Sequence, residues 1–127
     1  MKIYTNRVDH YFTWYCLIAA QFVKAHVEVV IVSEEEQQAP EFKAKKAHGK
    51  FPMLETDDGH IVFESNAIAD YIARTSATHG PELTGHTAFE EAKIQQWMLI
   101  NSTQIIPSAI GILYNTLGWK WDQEGYN

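Results

Sequence analysis

The sequence predicts an α/β domain with elements in the order β-α-β-α-β-β-α, followed by a helical segment. Two β-branched or apolar runs, residues 1–5 and 27–32, flank an apolar stretch with helical spacing at residues 11–23. Asp57-Asp58-Gly59 separates two further short apolar runs, and aspartate and glycine suit a hairpin turn. A capping pattern, Thr87 followed by Glu90, then begins a long helix.

The helical elements of the first part follow from periodicity and capping. In the first helix we expect an inward face of Phe12, Tyr15, Cys16, Ala19 and Phe22 or Val23. The acidic run Glu34-Glu35-Glu36 begins a second helix that continues to residue 47 and is disturbed by Pro40, and Gly49 ends it. Ser65 suits the N-cap of the helix that follows the hairpin. This order is that of a thioredoxin-like domain, a four-stranded mixed sheet with helices on its faces.

The second part begins after a polar linker at residues 75–85. The helix from Thr87 is expected to kink or break at Pro107. It then continues with a strongly apolar surface. We predict a thioredoxin-like domain at residues 1–77 and an incomplete α-helical domain at residues 86–127. A helix that packs on a second copy is the alternative explanation for the apolar surface.

Composition excludes several classes of protein. The 127 residues are 46% hydrophobic and 20% charged, as in a globular protein. Ten Lys and Arg against 16 Asp and Glu give a net charge of −6, which disfavours nucleic-acid binding and docking on anionic membranes. The single cysteine, Cys16, allows no internal disulfide and lacks a CxxC partner, so we interpret it as a buried structural thiol. We expect a cytoplasmic protein with no membrane insertion, no metal site and no required cofactor.

Two short segments have the residue types of a ligand site. Pro52 precedes a strand, and an X-Pro bond can be cis or trans. A cis bond would turn the backbone of Phe51 towards a peptide-like ligand, whereas a trans bond would simply begin the strand. Glu64-Ser65 lies where a helix begins, and a helix N-terminus with a hydroxyl suits a carboxylate, while Glu64 suits an ammonium group. The alternative is that Ser65 caps its helix and Glu64 is solvated.

The stretch GKFPMLETDDGHIVFESNAIADYIAR resembles the N-terminal domain of glutathione transferases, in which a K-x-P-x-L segment and an E-S-x-A-I helix start are typical. The resemblance covers residues 1–74 and the start of the helical domain. It implies that glutathione is a possible ligand. The residues implied to bind it are Lys50, Phe51, Pro52, Glu64 and Ser65.

The catalytic position of that family has no clear counterpart. Transferases activate the glutathione thiol with a Tyr, Ser or Cys after the first strand, because a hydroxyl donor stabilises the thiolate. Tyr4, Thr5, Tyr11 and Thr13 carry hydroxyls in this region. Tyr4, at the end of the strand, is the candidate, and the alternative is a tyrosine packed against the sheet.

One branch of the family is more similar still. The segments LIAAQ and QQWMLINSTQIIPSAIGILYNTLG resemble the gamma subunits of translation elongation factor 1. The resemblance implies a non-catalytic scaffold that assembles or anchors the nucleotide-exchange complex of translation elongation, with other elongation factor 1 subunits as partners and a homodimer left open. An active glutathione transferase is the alternative function, and a transferase-like appendage of an aminoacyl-tRNA synthetase is a third.

Overall fold

A computed structural model describes residues 1–46 and 50–117 of the chain. The predicted order of strands and helices is confirmed. The elements are β1 (Lys2–Thr5), α1 (Tyr11–Val23), β2 (Glu28–Ile31), α2 (Glu34–Gln38), α3 (Pro40–Lys45), β3 (Met53–Glu55), β4 (Ile61–Val62), α4 (Ser65–Arg74), α5 (Gly80–Thr84), α6 (Ala88–Ile100), a π-helix (Asn101–Ile105) and α7 (Ile106–Leu117).

The four strands form one mixed sheet in the order β2-β1-β3-β4. β1 pairs with β2 in parallel and with β3 antiparallel, and β3 pairs antiparallel with β4. Gly59, with φ of 85°, allows the turn between β3 and β4. This topology confirms the thioredoxin-like architecture expected from the sequence.

The chain divides into two compact units, Met1–His86 and Thr87–Asn127. The core of the first unit lies between the sheet and the helices α1 and α4. Side chains from β1, α1, β3 and α4 meet there and are almost completely buried. They are Ile3, Cys16, Ala20, Val23, Leu54, Ile68, Ile72 and Ala73.

The inward face of α1 differs from the prediction. The buried residues are Thr13, Cys16, Ala20 and Val23, whereas Phe12, Tyr15 and Ala19 are only partly buried and Phe22 is exposed. Apolar residues surround most of this helix, so spacing alone does not select a face. The smaller side chains face inward where α1 packs against α4.

The predicted second helix is two short helices. Ser33 and Glu36 form a capping box at the start of α2. Ala39 has the extended conformation (φ −59°, ψ 134°) that a following proline favours, and Pro40 is the first residue of α3. The proline therefore divides the helix instead of bending it. The predicted continuation to Ala47 and the break at Gly49 lie outside the described residues.

The segment predicted to be a linker contains a packed helix. α5 contacts α4, and its residues Gly80 and Thr84 are buried. Gly80 is required there, because a Cβ on this residue would overlap the backbone carbonyl oxygen of Ala73. The close approach of α4 and α5 explains why α5 begins with a glycine.

The second unit begins with the predicted capping box. Thr87 accepts a hydrogen bond from the Glu90 backbone, and Glu90 accepts one from the Thr87 backbone. The disturbance expected at Pro107 takes the form of the π-helix that ends just before α7. The hydroxyls of Ser102 and Thr103 both donate to the Leu99 carbonyl oxygen, at 3.2 and 2.7 Å. The segment after Leu117 lies outside the described residues.

Candidate functional site

The start of α4 has an unusual backbone. Glu64 is the N-cap residue, with φ of 68° and ψ of 121°, and its side chain makes no capping hydrogen bond. A non-glycine residue with positive φ costs on the order of 1–3 kcal/mol and often marks a ligand site. The prediction that Ser65 is the N-cap is wrong by one position, because Glu64 adopts the non-helical conformation at the boundary and Ser65 is the first helical residue.

The second predicted segment lies at the start of β3. The Phe51–Pro52 peptide bond is cis, which is the first of the two alternatives that the sequence leaves open. Pro52 is buried and Phe51 partly buried, while Lys50 is exposed. β3 contacts α4, so the sheet core supports both candidate segments, and Leu54 and Ile68 belong to the same buried cluster.

A side chain that the sequence did not single out also lies here. The Lys46 ammonium group is 3.9 Å from the centroid of the Phe51 ring, and it donates a hydrogen bond of 3.3 Å to Gln37. Burial lowers the pKa of Lys46. Phe42 packs against Phe51 with ring centroids 6.2 Å apart. The only sequence signal for this cation is its place after α3, ahead of the Phe51-Pro52 pair.

Tyr4 lies beside β3, on the side of the sheet that faces Phe42. Its hydroxyl donates a hydrogen bond of 2.6 Å to the Glu55 carboxylate, and Lys45 contacts the same carboxylate at 3.1 Å. Burial, the hydrogen bond to Glu55 and the Glu55 charge raise the pKa of Tyr4 to about 12. This phenol remains protonated at neutral pH, and its proton is directed to a carboxylate.

Other hydroxyls near the end of β1 are paired with one another. Thr13 Oγ1 donates to Thr5 Oγ1 at 3.0 Å, and Thr5 Oγ1 donates to the Arg7 carbonyl oxygen at 3.2 Å. His10 Nδ1 lies 3.3 Å from Thr13 Oγ1, and burial followed by the Arg7 charge lowers the pKa of His10. Thr5 and Thr13 are almost fully buried. These hydroxyls have partners inside the protein.

Cys16 joins α1 to the start of α4. Its thiol is fully buried and lies 3.3 Å from the Phe12 carbonyl oxygen and 3.5 Å from that of Ser65. Burial raises the pKa of Cys16 to about 12. The prediction of a buried thiol is confirmed, because the Cys16 side chain is fully buried between α1 and α4.

The described part of the chain contains neither a metal-binding cluster nor a membrane-spanning helix. Residues 1–46 and 50–117 contain no group of three or more His, Cys, Asp or Glu side chains arranged to hold a metal ion. None of the helices in the same residues is long and apolar enough to cross a membrane.

Comparison with known proteins supports the same family for sequence and structure. A family model described as the glutathione S-transferase N-terminal domain matches residues 1–74. Elongation factor 1-gamma of Homo sapiens is 38% identical in an alignment of 107 residues that covers 80% of this chain and 23% of that protein. The chain thus spans about a quarter of the length of the curated relatives that it matches.

Solved structures are similar over much of the chain. Gtt2 from Saccharomyces cerevisiae is 34% identical with a TM-score of 0.63, over 76% of this chain and 47% of that one. Glutathione S-transferase-I, solved with lactoylglutathione, is 27% identical with a TM-score of 0.76, over 97% of this chain and 60% of that one. Since the family model matches 74 of 127 residues, the chain belongs to the glutathione S-transferase N-terminal domain family.

Proposed function

We infer that this chain is a non-catalytic scaffold domain of translation elongation, which anchors other elongation factor 1 subunits in the cytoplasm. The similarity to elongation factor 1-gamma carries this proposal. It extends over 107 residues, and the family model matches only the first 74, so the similarity also includes part of the helical segment. That segment is where the sequence resembles this branch of the family.

Two structural features support a binding role over catalysis. The outer side of α1 exposes Trp14, Ile18 and Phe22, with Ile18 70% exposed, and such apolar surface is typical of protein interfaces. Near the end of β1, the hydroxyls of Tyr4 and Thr13 donate to Glu55 and Thr5. A hydroxyl engaged in this way has no free proton for a glutathione thiolate.

Affinity purification of the full-length parent protein tests the scaffold. We expect other elongation factor 1 subunits to co-purify, and Ile18→Glu to reduce their recovery. Phe89→Glu is the matched control, since Phe89 is 74% exposed but lies in α6. Recovery of the parent protein without any exchange-factor subunit would contradict the proposal.

A glutathione transferase is the second candidate, and the backbone geometry favours it. The cis Phe51–Pro52 bond and the positive φ of Glu64 lie at the two segments that the resemblance assigns to glutathione. The Glu64 side chain does not cap α4, and a helix N-terminus favours a carboxylate. Lys50 and Lys46 add cationic charge beside Phe51.

Glutathione titration followed by amide NMR tests whether these two segments bind glutathione. If it binds, we expect shifts at residues 51–53 and 64–66, and we expect Ser65→Ala to weaken them. Ser108→Ala is a matched control in α7. If a folded chain shows no shift changes at millimolar glutathione, glutathione is not its ligand. The scaffold proposal would not be affected by that result.

A further inference from the structure

The face of the sheet opposite the main core borders a cavity of about 270 Å³, here called the outer cavity. Tyr4 and Val30, which are partners in the register of β1 and β2, line it from the sheet. They point away from the core, because side chains alternate along a strand and the neighbouring Ile3 is buried in the core. Neither α2 nor α3, which form the other wall, has a buried residue that fills this space.

Two aromatic rings meet in the wall of the outer cavity. Tyr4 and Phe42 both line it, with ring centroids 5.8 Å apart and planes inclined by 70°. The Tyr4 phenol is neutral at neutral pH, because its pKa is raised to about 12. Aromatic rings attract organic cations, and pairs of rings set at an angle to each other bind quaternary ammonium groups in this way. The aromatic pair therefore favours a cationic ligand.

The charged groups of the lining have the complementary sign. Glu36, Glu41 and Lys45 lie at the exposed side of the outer cavity. Lys45 is paired with Glu55 at 3.1 Å, so its charge is compensated. The Ser33 backbone N–H donates to the Glu36 carboxylate at 2.7 Å and lowers its pKa, so Glu36 is ionised at neutral pH. The lining thus carries an excess of negative charge.

We propose that the outer cavity binds a small organic cation that carries a methylated ammonium group. A primary ammonium group requires up to three hydrogen-bond acceptors. The carboxylates of Glu36 and Glu55 already accept hydrogen bonds from the protein, whereas a trimethylammonium group needs no acceptor. Its methyl groups suit contact with Val30 and the two rings. A metal ion fits less well, because the described residues hold no group of three metal-ligating side chains.

Size and charge restrict the ligand to a small free solute. Cavities that hold drug-sized molecules measure about 300–1,000 Å³, and the outer cavity lies just below that range. A phospholipid headgroup carries a phosphate next to its ammonium group, and Glu36 and Glu41 would repel this phosphate. The proposal is independent of the scaffold and of glutathione, since none of the five residues implied to bind glutathione lines the outer cavity.

Titration with choline, followed by amide NMR, tests the site. Dimethylbutanol, in which a carbon replaces the quaternary nitrogen of choline, is the neutral control with the same shape. We expect shift changes at Val30 and Phe42, and an affinity for choline at least about ten-fold higher than for dimethylbutanol. Equal affinities, or no shift changes at tens of millimolar choline, would overturn the proposal.

Phosphocholine and phosphatidylcholine vesicles distinguish a free cation from a lipid headgroup. Phosphocholine should bind at least about three-fold more weakly than choline, because its phosphate faces the carboxylates. Vesicles should not change the spectrum. Tighter binding of phosphocholine or of the vesicles than of choline would assign the outer cavity to a phosphorylated headgroup and contradict the proposal.

A charge variant tests the acidic side of the outer cavity without disturbing the fold. Glu41 is exposed, and Glu41→Gln keeps the shape of the side chain while it removes the charge. We expect choline to bind about three-fold more weakly to this variant. Glu34→Gln is the matched control, because Glu34 is also exposed but does not line the outer cavity. Equal weakening by both variants would show that only the net charge attracts choline.

A ring variant tests the aromatic pair. Phe42→Leu should weaken choline binding about five-fold and leave the affinity for dimethylbutanol within about two-fold, because leucine is apolar but does not attract a cation. Phe89→Leu is the control, since Phe89 is an exposed phenylalanine in α6. Equal weakening of choline and dimethylbutanol by Phe42→Leu would mean that the ring contributes apolar contact alone, and would refute the cation site.

Discussion

At the residue scale, the local environment of a side chain decides its chemistry. Tyr4 has the residue type and sequence position expected of a thiol-activating hydroxyl. In the structure its proton is engaged by Glu55, and its pKa is raised to about 12. The sequence singles out Glu64 through its E-S motif, but it does not show the φ of 68° that this residue adopts in the structure.

Removing the Tyr4 hydroxyl should weaken the fold at neutral pH. We expect Tyr4→Phe to lower the free energy of unfolding by about 1.5–3 kcal/mol, because the variant loses one hydrogen bond to a charged acceptor. Tyr11→Phe is the control, since Tyr11 is 56% exposed. Urea denaturation measures both variants, and an equal effect from the two would contradict the role of the Tyr4–Glu55 bond.

The same pair predicts a pH dependence. The hydrogen bonds from Tyr4 and then Lys45 lower the pKa of Glu55 from its ordinary value of 4.5. A carboxyl with a lowered folded-state pKa stabilises the fold above 4.5, and this contribution is lost as pH falls through the lowered value. The difference between the wild-type chain and Tyr4→Phe should therefore shrink in acid, as urea titrations at several pH values would show. If the stability difference between the two chains instead grows below pH 4.5, the predicted direction of the pH dependence is wrong.

At the scale of elements, a local capping signal is sufficient to predict where a helix begins. Which face of a helix is buried is decided by packing against other elements. The capping box at Thr87 is local, so the sequence predicted it correctly, whereas the predicted helix through Pro40 is two helices. The buried face of α1 depends on which side chains let it approach α4. The helix α5 depends on its contact with α4 as well.

Gly80 provides a test of that contact. Gly80→Ala should lower the free energy of unfolding by about 1–3 kcal/mol, because the added methyl would overlap a backbone oxygen that cannot rotate away. Thermal or urea unfolding measures the loss.

Gly59→Asn is the matched control for this substitution. A Cβ at Gly59 meets nothing within 4 Å, and asparagine tolerates its positive φ. We expect Gly59→Asn to lose less stability than Gly80→Ala. The reverse order would mean that α5 does not pack closely on α4.

At the scale of the whole molecule, the core belongs to the first unit. Each residue of the main buried cluster lies within Met1–His86. We expect a chain of residues 1–86 to fold by itself and to give a dispersed amide spectrum with the core shifts of the full chain. A poorly dispersed amide spectrum for this shorter chain would show that the core requires residues beyond His86.

The sequence by itself determined the order of the elements, the family and the two segments implied to bind glutathione. These depend on local signals such as periodicity, turn residues, capping and motif spacing, which act within a few residues. Tertiary structure alone decided the inward face of α1, the conformation of Glu64, the partner of Tyr4 and the outer cavity. Each of these depends on residues distant in sequence, because packing and strand pairing join segments that no local pattern relates.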